Sequence, residues 1–124
     1  LLSADEYAAQ LGALSAGHRV SDDAFDDIVK HLAQVHPSRY IRLIAGVEAL
    51  GIRDVRQLTD QSEALRFVAF VDRAYDAQIP ILATGRPLDE VFSEEMLGGG
   101  YRKKYLRAIS RLNALSHAER PATV

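Results

Sequence analysis

Lys104, Arg107 and Arg111 recur at i, i+3 and i+7, the spacing that sets side chains on one face of a helix. A guanidinium is permanently charged and grips an oxyanion with two parallel N–H donors. An arginine in such a stripe can therefore reach a nucleotide phosphate and offset charge on a transferring phosphoryl group. The same spacing equally describes a solvated cationic face. Upstream, Gly98-Gly99-Gly100 precedes Arg102-Lys103-Lys104. Backbone amides at such a helix start can cradle a phosphate, but a flexible hinge before a solvated basic turn is the reading we favour. Three cations at a helix N-terminus oppose its dipole, a mismatch that an anionic partner would relieve.

Other chemistries find less support. The glycine run does not end in the Gly-Lys-Ser or Gly-Lys-Thr of a phosphate-binding loop. The chain has no cysteine, which removes disulfides and thiolate metal sites. His18, His31, His36 and His117 are the only imidazoles; His31 and His36 are five apart without the flanking carboxylate of a metalloprotease helix. No metal site is expected. Ser110 and Thr84 lack a nearby histidine and acid that would suggest a triad. Asp72 and Asp76 stand at i, i+4 with Arg66 and Arg73 close in sequence, and surface ion pairing is the simpler role for them.

The elements that must carry these residues follow from periodicity. The chain has 124 residues, 48% hydrophobic and 26% charged, with a formal net charge of -2. That is the profile of an ordinary folded domain with no global pull toward nucleic acid or anionic lipid. Ser3 and Glu6 form a capping box for a helix with Tyr7, Ala8, Leu11 and Leu14 inward. Ser21 is placed as the cap of a second helix, with Asp22, Asp23, Asp26 and Asp27 near its start and Phe25, Ile28, Val29 and Leu32 inward. Ser38 caps a third, with Tyr40, Ile41, Ile44 and Val47 inward. Gly51 reads as a break, and Ala49 to Val55 as an edge strand or loop because of Arg53 and Arg56.

Thr59 or Asp60 caps a long helix whose apolar face, Leu65, Phe67, Val68, Val71, Ala74 and Tyr75, is wide. Ile79 to Thr84 is the best strand, with Pro80 placing it at an edge or at the strand's first residues. Pro87 opens a short helix over Leu88 to Phe92. Tyr101 to His117 forms the last helix, with Tyr105, Ile109 and Leu112 on its apolar face, and Arg120-Pro121 begins a tail. The organisation expected is an N-terminal helix and loop over residues 1–20, then a single segment over 21–124. The fold class is helix-rich α/β with one or two short strands, too few for an independent sheet. Such a piece docks on a larger α/β core or folds as a mostly helical unit.

Several stretches, taken in order, resemble a known family. Leu65-Arg66-Phe67-Val68-Ala69-Phe70-Val71-Asp72-Arg73-Ala74-Tyr75-Asp76, followed by Ile79 to Gly85, resembles the late segment of the ZapE family of AAA-type P-loop ATPases. There an Arg-Phe-Ile start leads to Ile-Asp, then to Tyr-Asp or Tyr-Glu, then to a strand ending in a small residue. Leu88 to Phe92 resembles the turn that follows, and Arg107-Ala108-Ile109-Ser110-Arg111-Leu112 resembles the family's Arg-Thr-x-Ser-Arg-Leu signature. Phe25 to Tyr40 is similar more loosely, and the likeness runs in order over residues 25 to 115. Ala108 departs from the usual Thr, Ser38 to Tyr40 lacks the usual Asp before Tyr, and residues 93 to 104 carry a glycine-rich basic stretch, which points to a divergent bacterial branch.

The resemblance implies that the intact protein binds Mg2+ and ATP and hydrolyses ATP. The Walker motifs would lie upstream of Leu1, in an ATPase core that is this segment's first partner. It implies work in cell division or protein quality control on protein partners of the division or membrane-associated machinery. The setting would be cytoplasmic, peripheral to the inner membrane or division site, with room for a homo-oligomer. Arg111, and secondarily Arg107, become the candidates for a sensor or arginine finger. The cofactor-binding residues stay unassigned, and the chain alone is expected to be inactive and to need no cofactor. Two other readings stay open: a small interaction module using the acidic Asp22 to Asp27 stretch or the basic last helix, and, more weakly, nucleic-acid binding through Lys103, Lys104, Arg107 and Arg111.

Overall fold

The computed structural model describes residues 1–119, so the tail placed at Arg120-Pro121 lies outside the described residues. Helix α1 (Ala4–Ser15) leads to strand β1 (Val20–Ala24) and helix α2 (Phe25–Gln34). A 3-10 turn at Pro37–Arg39 runs into the one-turn helix α3 (Tyr40–Leu43). Strand β2 (Ala49–Val55), helix α4 (Gln61–Asp76) and strand β3 (Ile81–Gly85) follow. After a second 3-10 turn, Leu88–Glu90, come α5 (Glu94–Leu97) and α6 (Arg102–Ser116).

The three strands form one parallel sheet in the order β1-β2-β3, with Val20 opposite Ala49 and Leu50 opposite Ile81. The fold is therefore helix-rich α/β with three strands, more than the one or two anticipated. Alternation along the strands divides two layers. Leu50, Ile52, Ile81 and Ala83 face α2, α4 and α6 in the main core. Ala49 and Leu82 face the other way, onto Tyr7, Leu11 and Leu14 of α1. Each fully buried side chain of this size contributes roughly 1.5–3 kcal/mol, so both faces are firmly covered.

Four local expectations are corrected. Ser21 caps no helix: it lies within β1, and α2 starts at Phe25 after Ala24, which offers no side-chain cap. Asp22 and Asp23 are therefore strand residues, while Asp26 and Asp27 do occupy the first turn. The segment Ala49–Val55 is the central strand, and Gly51 lies inside it, so it is neither an edge nor a break. Arg53 fits there because its partly exposed guanidinium pairs with Asp22 on the neighbouring edge strand β1, Nε to Oδ1 2.8 Å. The third helix is short and Ser38 does not cap it, lying instead in the preceding 3-10 turn that His36 caps; Ile41 is 60% exposed although Tyr40 and Ile44 are buried. The helix Glu94–Leu97, capped by Ser93, stood unanticipated before the glycines.

The carboxyl ends of β2 and β3 are locked by an irregularity. The register slips between Ile52 and Val55, and Asp54 takes a left-handed φ of 58°. Its amide, diverted from the ladder, donates to Thr84 Oγ1 at 3.0 Å, which satisfies a backbone group that is costly to leave unpaired. Gly85, at φ 100°, crosses so close that a Cβ would lie 2.4 Å from Val55 N. Asp60, not Thr59, caps α4, accepting from Glu63 N at 2.9 Å.

Candidate functional site

The contact between α4 and α6 brings two arginines of the stripe to one carboxylate. Asp72 faces α6 from the C-terminal part of α4 and is 17% exposed. Arg111 donates from Nη1 to its Oδ1, and Arg107 reaches Oδ2 from Nη2 at 3.4 Å. The Arg111 guanidinium also lies over the Tyr75 ring, 4.8 Å from its centroid. That is a cation–π contact, favourable by about 0.5–1 kcal/mol or more where partly desolvated. Helix geometry explains the convergence. Asp72 and Tyr75 are three apart on α4, Arg107 and Arg111 four apart on α6, so each pair shares a face.

The two arginines differ in freedom. Arg111 is 27% exposed and held on two sides, whereas Arg107 is 49% exposed and touches Asp72 only at the limit of a hydrogen bond. Two guanidiniums on a single carboxylate leave one positive charge uncompensated there. Lys104 does not join them. Its ammonium lies 5.6 Å over the Tyr101 ring at the start of α6.

The glycine run is a hydrogen-bonded turn between α5 and α6. Gly98 N donates to Glu94 O at 3.0 Å and Gly99 N to Met96 O at 3.1 Å. These amides are engaged by the helix they close and are not turned outward as a phosphate cradle. Asp76 pairs with Arg73, Nη2 to Oδ2 2.9 Å, so the two carboxylates of α4 have separate partners. The Asp72 pairing to α6 was missed from sequence. Its one legible trace was a carboxylate on the otherwise apolar face of α4.

Among the described residues no three or more His, Asp or Glu side chains gather as a metal would require. The described residues bring two arginines of α6 onto one carboxylate of α4. What they offer is a cationic arm on a braced helix. Among the described residues no helix is long and apolar enough to cross a membrane.

No curated protein and no solved structure matches the chain. A family model does, that of the AFG1-like ATPases, over residues 7–122. The match takes in most of α1, the sheet, the Asp72–Arg111 contact and the whole of α6. With nearly every residue matched, the chain belongs to the AFG1-like ATPases, a P-loop ATPase family that includes ZapE.

Proposed function

We propose that this chain is the C-terminal part of an ATPase whose phosphate-binding motifs lie upstream of Leu1, and that α6 presents Arg107 and Arg111 to the nucleotide bound there. The observation that carries this reading is the pair of guanidiniums on the single carboxylate of Asp72. Arg111, fastened to Asp72 and stacked on Tyr75, fixes the position of the helix. Arg107, the more exposed of the two, is free to turn toward a phosphate. A preorganised cation of this kind stabilises the charge that develops on the transferring phosphoryl group. The residues that make the family resemblance, Asp72 and Tyr75 on α4 and Arg107 and Arg111 on α6, are mutual partners, which supports a shared purpose for the two segments.

The finer role follows the ZapE resemblance: an ATPase of cell division or protein quality control, acting on protein partners near the membrane. The α6 arginines act either within one subunit or across a subunit boundary.

Calorimetry and turnover test the reading in two steps. The chain alone is expected to show no micromolar ATP affinity, and tight binding by it would overturn the division of labour. In the intact protein Arg111→Ala is expected to bind ATP but hydrolyse it far more slowly. Arg111→Lys recovers little of that turnover, because an ammonium lacks the planar fork.

A further inference from the structure

We infer that the outer edge of β3 is the seat of a fourth parallel strand, formed by the residues that run into Leu1 in the intact ATPase. The inference rests on the proposed reading, in which a core precedes this segment. Its structural basis is a single backbone contact. Leu2 N donates to Ala83 O at 3.2 Å. Pro80 O accepts from Leu50 N of β2 at 2.9 Å. Backbone groups alternate between the two edges of a strand, so Ile81 and Ala83 turn their amides and carbonyls away from β2. Among the described residues β3 pairs with β2 on one side alone, and Leu2 has taken the first position of the ladder on the other.

Topology fixes the direction. β1 and β3 are parallel through β2, and α1 joins the outer edge of β3 to the start of β1 while crossing the sheet on Leu82 and Ala49. It must therefore descend from the carboxyl end of the sheet to its amino end, and a strand feeding it runs upward beside β3. The handedness agrees. The chain advances from β1 to β3 with α2 and α4 on one face. The return from a β3 neighbour to β1 travels the opposite way with α1 on the opposite face. Both crossovers then have the right-handed sense that parallel connections take.

Space and surface chemistry agree as well. A groove of about 290 Å3 follows this edge, lined by Leu1, Leu2, Ile81, Ala83, Ser116 and His117 among others. Leu1 stands 67% exposed at its end, and Ser3 is extended at φ -71°, ψ 165°. Continuing the parallel pattern backward from Leu2 assigns the partners. The residue immediately before Leu1 accepts from Ala83 N and donates to Ile81 O, and the residue two further back accepts from Ile81 N.

The test is amide exchange by NMR on this chain and on the same chain preceded by its ten or so native upstream residues. In the longer chain the Ile81 and Ala83 amides are expected to slow by more than about tenfold relative to Leu82, which already donates to β2 in both. Parallel cross-strand contacts to the added residues should accompany this. Equal exchange at Ile81 and Ala83 in the two chains overturns the inference, as do antiparallel contacts. Neither outcome depends on hydrolysis, so a failure here leaves the ATPase reading to its own turnover test.

Discussion

Arg111 binds Asp72 across the α4–α6 contact while its guanidinium lies 4.8 Å from the centroid of Tyr75, so one side chain from α6 engages two successive turns of α4. Truncating it removes a charge-assisted bond and leaves a carboxylate that is 17% exposed with only the longer contact to Arg107. Arg111→Ala is expected to cost about 1–3 kcal/mol and to lower the melting temperature of this chain by roughly 5 °C or more. A double-mutant cycle with Asp72→Asn, followed by urea unfolding, should show a coupling above about 0.5 kcal/mol. Additive effects would mean that the contact does not brace the helices.

Tyr7 and Asp22 predict a pH dependence. The Tyr7 hydroxyl donates to Asp22 Oδ1 at 2.7 Å and Arg53 donates to the same oxygen. First the tyrosine bond and then the arginine hold the Asp22 carboxyl below its ordinary range. A carboxyl lowered in the folded state stabilises fully above its unfolded pKa, near about 4, and that stability is lost as pH falls through the folded value. Burial, then the bond to Asp22, raises the Tyr7 phenol. Its contribution is complete below the unfolded tyrosine pKa, near about 10, and declines as pH climbs toward the folded value. Tyr7→Phe should therefore cost about 1 kcal/mol at pH 7. The cost should shrink in acid, where the carboxylate is protonated, and again in alkali, where the wild-type phenol ionises. Urea titrations across pH check this, and a cost independent of pH would contradict it.

Gly51 is a steric requirement of the central strand. A Cβ there would stand 2.3 Å from the Tyr7 hydroxyl and 2.7 Å from the Ser21 carbonyl. The first neighbour can be removed and the second belongs to the adjacent strand's backbone. Gly51→Ala should destabilise by more than about 2 kcal/mol, and combining it with Tyr7→Phe should recover only part. Full recovery in thermal melts would place the whole conflict at the hydroxyl.

Periodicity made α1, α4 and α6 legible, because each shows a continuous apolar face with a capping residue or a glycine near its limits. β3 was legible as a short apolar run after a helix. β1 was not. Val20-Ser21-Asp22-Asp23-Ala24 carries serine and two aspartates, and such a polar run becomes a strand only because it is an edge, where Asp22 can hold Tyr7 and Arg53. β2 was misplaced for a related reason. Arg53 argued against a central strand, yet its charge is met by Asp22 on the adjacent edge strand. The arginines of α6 stood out by spacing, while their partner Asp72 could be assigned only once the helices were packed, since contacts 35 and 39 residues apart leave no local pattern.

The most direct measurement is steady-state ATP turnover by the intact protein carrying Arg107→Ala. This change leaves the Asp72–Arg111 contact in place, so the melting temperature and ATP affinity should stay close to wild type. Loss of a cation that stabilises the transferring phosphoryl group slows turnover by about 1,000-fold or more in the strongest cases. We predict a loss of at least about 100-fold on that scale. Near-normal turnover in a well-folded Arg107→Ala protein would contradict the account and leave the α6 arginines as a structural brace.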